Sequence, residues 1–337
     1  MKAVVLDQFG PPSVLHLADV PDPEIGPDDV LVRVHAVSIN RTLDLAVRAG
    51  TYAKRPPLPH VLGADPAGVI EAVGANVTTR KVGDRVLSQR RVAPGPDGTA
   101  RLLGVDVWGG YAELVKLRAE HTYLIPDNVD YGTAIIVGGH APLAFNQLRD
   151  RAQVREGEWV LVMGAAGSLG SAAVQVAKYL GARVIAAAGS DDRVAASTAL
   201  GADAGVNYRA KNLTEEVMKI TDGKGVGVVL ENIGDPDLFP KAFASLGFRG
   251  RLVTAGGHGG GTVPLDVKQL YLKQITVIGD PSDKPAYIEM ALKAASEGRF
   301  KSVVDQTLPL VEAARAHEIM QGETRIGKIL LDPLRGS

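Results

Sequence analysis

The sequence contains no cysteine. That absence excludes disulfides, thiolate nucleophiles and zinc sites built on thiolates. Charge imbalance is missing too: a formal net charge of -1 over 337 residues gives no electrostatic footing on nucleic acid or an anionic membrane. No apolar run approaches membrane-spanning length. Met1 to Asp7 reads as a short strand ending in an acid, not as the basic-then-apolar layout of a secretory signal, so a cytoplasmic location is expected. With 45% hydrophobic and 22% charged residues, the composition is that of an ordinary globular protein, long enough for two domains.

What is present is organised around Glu158 to Arg193. Trp159 to Met163 is an apolar run too short for a helix and bounded by glycine, as expected of a strand buried on both faces. Gly164, Gly167 and Gly170 follow at three-residue spacing, with Ala165, Ala166, Ser168 and Leu169 between them. Ala172, Ala173, Val176, Ala177 and Leu180 recur at helical spacing until Gly181, and Arg183 to Ala187 makes a second apolar run. Such a strand-turn-helix-strand unit brings backbone close to a pyrophosphate, whose charge meets the free N–H groups and positive dipole of the helix N-terminus. The flanking elements are the context a dinucleotide-binding turn requires.

One rival uses the same residues. Ala166-Gly167-Ser168-Leu169-Gly170 also approximates the nucleophile elbow of serine hydrolases, with His258 and His317 downstream. An elbow needs most of its sheet upstream, whereas the strand-helix alternation here lies downstream. Tyr-x-x-x-Lys occurs at no tyrosine, which removes the short-chain dehydrogenase reading.

Residues 1–128 read as all-β, with strands at Lys2 to Leu6, Asp29 to Val37, Pro66 to Val73 and Asp84 to Leu87. A helix starts near Asn40, capped by Asn40 or Thr42 and ending before Gly50. Arg90 to Gly109 lacks periodicity and reads as an exposed loop able to move over the site. After a helical stretch from Tyr131 to Arg149, strands alternate with helices near 159–163, 183–187, 204–207, 226–231, 251–254 and 274–278, giving a doubly wound parallel sheet of six strands. Lys301 to Leu331 returns to short strands, Val303 to Thr307 and Lys328 to Leu331, around a helix at Val311 to Met320, and rejoins the N-terminal domain.

Ser38-Ile39-Asn40 with Asp44, Arg48-Ala49-Gly50-Thr51-Tyr52, Gly63-Ala64-Asp65-Pro66-Ala67-Gly68, Val82-Gly83-Asp84-Arg85-Val86, Gly109-Gly110-Tyr111-Ala112-Glu113, the Gly164 to Gly170 turn and Gly327-Lys328-Ile329 carry a resemblance over nearly the whole chain. In their order and spacing the sequence resembles the medium-chain dehydrogenase/reductase superfamily, and within it the zinc-independent quinone oxidoreductase-like enzymes. The resemblance implies an α/β protein: a GroES-like β-barrel catalytic domain (1–128 and 300–337) plus a Rossmann domain (129–299), with substrate and nicotinamide in the cleft between them. It also implies a homodimer through the Rossmann edge strand near Gln274 to Ile278. Zinc-dependent members hold their catalytic metal with a Cys, a His and a second Cys. Those positions fall on Arg41, Ala64 and about Gly139 here, so no zinc is expected.

NAD-preferring sites end the second strand with an acid for the ribose 2′-OH. Here that position falls near Ala188, followed by Gly189, Ser190 and Arg193, with Tyr208 ending the third strand. These groups suit the 2′-phosphate of NADPH, with NADH the less favoured cofactor, while Asp191 and Asp192 argue the other way unless they cap their helix. Further cofactor-binding candidates are Asn232, Gly256, Gly257 and Lys328, and the glycines around His258 suit a loop near a cofactor. Asn40, Tyr52 and His140 are the catalytic candidates. Their alternatives are a helix cap for Asn40, a core tyrosine for Tyr52 and a surface or capping histidine for His140.

Without a metal, substrate must be polarised by hydrogen bonds, which suits hydride addition to a quinone or to the C=C bond of an α,β-unsaturated carbonyl compound. Leu143-Ala144 replaces a Thr-Ala pair of the family and Ala46 replaces a Tyr, leaving room for bulkier enones. A zinc-free ketone or alcohol oxidoreductase and a non-catalytic cofactor-binding protein are the alternatives.

Overall fold

The structure is a computed structural model that describes residues 1–92, 99, 101–322 and 326–335. It divides into two compact units, one of Met1–Gly139, Leu292–Gly298 and Ser302–Ser337, the other of His140–Ala291 and Arg299–Lys301.

In the first unit the strand Asp29–Ser38 is the organising element. Val30, Val32 and Val34 are buried while their neighbours are only half so, the period-2 signature of a strand with one face on a core. It pairs antiparallel with Ala67–Val73, with Leu114–Arg118 and, at its end, with Lys328–Asp332. The seven-stranded sheet continues through Arg85–Ser88 and Thr122–Leu124 on one side and Val304–Pro309 on the other. A three-stranded sheet sets Lys2–Leu6 between Leu15–Asp19 and His60–Val61. Apolar side chains of both sheets share one core with the helix Ala313–Gln321.

Two expectations for this unit need correcting. The helix near Asn40 spans Asp44–Ala49, with Leu43 at its N-cap and no side-chain cap bond, so neither Asn40 nor Thr42 caps it. Asn40 is drawn instead into a buried polar network. The Arg90 to Gly109 stretch is not a bare exposed loop: Arg91–Val92 pairs with Arg101–Leu102, Leu103 and Val105 are buried, and residues 93–98 and 100 lie outside the described residues. Its Gly and Pro content hides two short apolar anchors that periodicity cannot register.

The second unit is a six-stranded parallel sheet in the order Ala204–Asn207, Arg183–Ala188, Trp159–Met163, Val226–Glu231, Leu246–Thr254, Thr276–Gly279. Val160, Leu161, Val162 and Met163 are fully buried, because helices cover both sheet faces. The chain reverses its winding between Trp159–Met163 and Val226–Glu231, and at such a switch point the carboxyl ends of the strands leave a crevice for a ligand. The helical stretch after Tyr131 is an α-helix to Phe145, with a wider π turn over Asn146–Arg151. Among the described residues no helix is long and apolar enough to cross a membrane.

Candidate active site

The crevice of the second unit is built by close backbone approach. Trp159–Met163 turns at Gly164, whose φ of +62° is left-handed, and Ala165 ties the turn to the neighbouring strand by donating its N–H to Ala187 O at 3.0 Å. The helix Ser168–Tyr179 follows, with Gly167 at its N-cap and no side-chain cap bond. Its first N–H groups therefore have no side-chain acceptor at the N-cap, and Gly167 and Ser168 are exposed. At Gly170 a Cβ would fall 2.2 Å from Gly164 O and 2.8 Å from the Ala165 Cα, so only glycine lets helix and turn touch.

The same crowding gathers the rest of the rim. A Cβ on Gly164 would lie 3.2 Å from Asn232 Oδ1, one on Gly256 would lie 2.2 Å from Asn232 O, and one on Gly234 would lie 2.8 Å from the Gly257 Cα. Gly164, Asn232 and Gly256–Gly257 thus converge at the carboxyl ends of three adjacent strands. Buried Glu231, unremarked in the sequence, holds this rim by accepting from the N–H groups of Ile233 at 2.9 Å and Gly234 at 3.1 Å. Burial pushes its carboxyl above the usual range. His258 is exposed, as its glycine-rich surroundings suggest.

At the end of Arg183–Ala188 no acid is found. Gly189 instead lies beneath two side chains from the next strand end: its Cβ would be 3.2 Å from the Tyr208 hydroxyl and 3.3 Å from Arg209 Nε. Ser190 is the N-cap of the helix Asp191–Ala199 without a side-chain cap bond, and Asp191 and Asp192 lie inside its first turn. Asp191 accepts a hydrogen bond from Asn207 Nδ2 at 2.9 Å, which turns that carboxylate toward the third strand. Arg193, on the same turn, has a buried Nε with no partner among the described residues. Arg209 was missed by the sequence reading, since only the strand-end residue itself was considered.

The first unit carries the second cluster. Asn40 Nδ2 donates to Asp65 Oδ2 at 3.0 Å, and Asn40 Oδ1 accepts from Lys328 Nζ at 2.7 Å and from Arg90 Nη2 at 3.1 Å. Asp65 also accepts from the Ser38 N–H at 3.0 Å and the Ser38 hydroxyl at 2.7 Å, and Asp44 accepts from the Asn40 N–H at 2.7 Å. Burial, with Asp65 nearby, raises the Asp44 carboxyl to about 7, and burial lowers Lys328 to about 8 despite the counteracting charge of Asp65.

Asn40 and Lys328 are therefore brought together, Lys328 as a buried member of the Asn40 network. Among the described residues Tyr52 makes no hydrogen bond into that network; it is half-buried and packs against the core of the unit. His140 lies inside the helix Tyr131–Phe145. Asp65 and Arg90 were the residues missed, and an acid amid Gly63-Ala64-Asp65-Pro66-Ala67 was the available signal, because a charge in an apolar run needs a partner.

Two chemistries can be weighed here. At the positions where the resemblance places the zinc ligands, Arg41 is exposed, Ala64 is buried and Gly139, the approximate third, is half-buried, and none of them offers a ligating atom. Among the described residues no group of three or more His, Cys, Asp or Glu side chains could hold a metal ion. Zinc does not fit this donor set. Of the downstream histidines an elbow would use, His317 is fully buried, 3.1 Å from the Tyr111 hydroxyl and 3.5 Å from Arg48 Nη1, which occupy both its ring nitrogens. A nicotinamide dinucleotide, in contrast, matches the uncapped helix start and the glycine cradle.

Known proteins carry the same arrangement of domains. Residues 26–127 match the family model for the alcohol dehydrogenase GroES-like domain, and residues 168–297 match that for the zinc-binding dehydrogenase. Quinone oxidoreductase of Homo sapiens is 33% identical over 340 residues, covering 98% of this chain and 97% of that protein. Acryloyl-coenzyme A reductase of Sulfurisphaera tokodaii is 30% identical, covering 99% of this chain and 100% of that one. A crystal structure of an NAD-dependent alcohol dehydrogenase superposes with a TM-score of 0.89 at 35% identity, covering 98% of this chain and 99% of the other.

Proposed function

The chain belongs to the medium-chain dehydrogenase/reductase superfamily, among quinone oxidoreductase-like oxidoreductases, and on that premise we propose that it uses NADPH, without zinc, to reduce quinones or α,β-unsaturated carbonyl compounds. One observation carries the cofactor choice. The strand Arg183–Ala188 ends without an acid, and the Tyr208 hydroxyl and Arg209 guanidinium meet over Gly189, where a 2′-phosphate would accept their hydrogen bonds. The names of the relatives support the substrate class: one acts on quinones, another on an activated C=C bond.

Bound nicotinamide supplies the hydride. The chain's share is to hold the diphosphate at the start of Ser168–Tyr179, to fix the rim through Glu231, and to meet charge that develops on the substrate oxygen. Purified protein is expected to oxidise NADPH in the presence of quinones, enones or enals, with simple ketones as the contrasting panel. Arg209→Ala should lower kcat/KM for NADPH by about 10- to 100-fold, the value of one or two charge-assisted hydrogen bonds, and leave NADH turnover unchanged. Equal loss with both cofactors, or a wild-type preference for NADH, rejects the NADPH assignment.

We further propose a homodimer. The strand Thr276–Gly279 ends its sheet with no further partner among the described residues; Tyr271 and Leu272, shortly before it in the chain, are 63% and 58% exposed, and Phe248, on the adjacent strand Leu246–Thr254, is 65% exposed. An open edge flanked by large apolar groups is the kind of surface a second copy covers by strand pairing. Sedimentation at micromolar protein should give twice the chain mass, and a monomer there would discard the idea.

A further inference from the structure

Resting on that reading, we propose that Arg90 is a catalytic residue, whose guanidinium binds the carbonyl oxygen of the substrate and stabilises the negative charge that hydride addition places there. The placement argues for it. Of the four ionisable side chains in the first unit's cluster, Asp44, Asp65 and Lys328 are buried, whereas the Arg90 side chain is 31% exposed. The network therefore runs from the core outward and ends on this cation.

Arg90 is held firmly. Nη2 donates to Asn40 Oδ1 at 3.1 Å and forms an ion pair with Asp65 Oδ2 at 3.5 Å, and Asp65 is itself fixed by both donors of Ser38. A guanidinium has five N–H donors, and among the described residues the Arg90 guanidinium is anchored through Nη2 alone, which leaves donors for a ligand. Preorganised donors of this kind act on developing charge because they need no reorganisation when it appears. The cluster is also short of negative charge: Asp44 is held toward its neutral form, leaving Asp65 to face both Arg90 and Lys328.

Gly139 makes room for it. A Cβ there would lie 3.3 Å from Arg90 Nη2, a contact tight enough to crowd the guanidinium. The resemblance places a zinc ligand of metal-dependent relatives at about this position.

The chemistry balances without a proton leaving Arg90. Hydride from the reduced nicotinamide forms a C–H bond at the β-carbon, the C=C electron pair moves toward the carbonyl, and its oxygen becomes an enolate. The nicotinamide is oxidised and the substrate reduced by two electrons. A proton from solvent at the α-carbon completes the product. With a quinone, hydride at a ring carbon gives an enolate on the same oxygen; solvent removes the proton from that carbon, restoring the aromatic ring, and protonates both oxygens to give the hydroquinone.

The test uses turnover together with a probe that needs no turnover. Arg90→Ala should lower kcat/KM for an enone by roughly 100- to 1,000-fold, as loss of an oxyanion donor does, while NADPH affinity measured by its fluorescence stays within about threefold. Added guanidinium ion should restore part of the activity to Arg90→Ala and none to wild type. Arg90→Lys should recover little, since an ammonium lacks the planar fork. 4-Nitrophenol stands in for the enolate: wild type should bind its yellow phenolate and lower the pKa of the bound phenol, and Arg90→Ala should do neither. Wild-type turnover or unchanged phenolate binding in Arg90→Ala overturns the proposal, as does a parallel loss of NADPH affinity. If Arg90→Ala does not fold, Arg90→Lys decides by the phenolate titration. Should wild type reduce no quinone or enone, the functional reading fails, and the phenolate titration still decides whether Arg90 binds an oxyanion.

Discussion

Titrated with NADPH, a Gly170→Ala protein is expected to bind at least about 100-fold more weakly than wild type. The added methyl would lie 2.2 Å from Gly164 O and 2.8 Å from the Ala165 Cα, and both are backbone atoms that no rotamer change can move. The start of the helix Ser168–Tyr179 must therefore back away from the turn, taking its N–H groups off the diphosphate. Each hydrogen bond to a charged group contributes roughly 1.5–3 kcal/mol, so losing two weakens binding by two to four orders of magnitude. Gly167→Ala is the graded companion: its Cβ meets the same oxygen at 3.2 Å, which the turn can relieve by a small shift, and a smaller loss is expected. Gly157→Ala is the control, because nothing lies within 4 Å of its Cβ; a φ of +74° there costs stability without touching the site. Circular dichroism of the three variants separates failure to bind from failure to fold. Gly170→Ala binding within tenfold of wild type would mean that the diphosphate does not rest on this turn.

That turn was legible because its physics is local. Strand, glycines and helix follow one another within about two dozen residues, and each element announces itself by periodicity or by its absence. Five of the six strands of the parallel sheet were likewise readable from short apolar runs within a residue or two of their observed bounds. The fifth was placed at 251–254 and begins earlier, at Leu246, because Gly247, Arg249 with its φ of +56° and Gly250 break the apolar run in a bulge that separates the Val226–Leu246 pair from the Val228–Arg251 pair. The polar cluster of the first unit was not legible. Asn40 bonds Lys328 across 288 positions and Asp65 across 25, and no window-based pattern carries such pairings. Local reasoning made Asn40 a helix cap, but Asp65 is buried and needs donors, and that demand outweighs the roughly 1 kcal/mol a cap offers. Asp44 shows the same limit. It was noted only as part of a motif, and its raised carboxyl follows from burial beside Asp65 rather than from any sequence neighbour.

Asp65→Asn is expected to cost the first unit roughly 3–5 kcal/mol, the usual penalty for removing one partner of a buried charge cluster. The Asp65 carboxylate receives donors from the Ser38 backbone, the Ser38 hydroxyl and Asn40, and faces Arg90. An asparagine keeps one acceptor, turns two N–H donors toward groups that also donate, and leaves Lys328 and Arg90 with only Asp44 to oppose them. The pH dependence identifies the cause. Lys328 is lowered from 10.5 to about 8 in the fold, so between those values the unfolded chain holds its proton more tightly and stability rises with pH. Asp65 is the largest influence keeping Lys328 charged against its burial, so without that carboxylate the window widens downward toward neutrality. Wild-type stability should begin this rise near pH 8, whereas Asp65→Asn should rise from lower pH and close part of its deficit by pH 10. Urea denaturation in a Trp159→Phe background lets Trp108 report on the first unit. Combining Asp65→Asn with Lys328→Met removes both opposed charges, and the double variant should regain roughly 0.5–3 kcal/mol over the sum of the single effects. Strict additivity, or a cost below about 1 kcal/mol for Asp65→Asn, would mean that these charges do not form one unit, and the anchor on which Arg90 depends would lose its energetic basis.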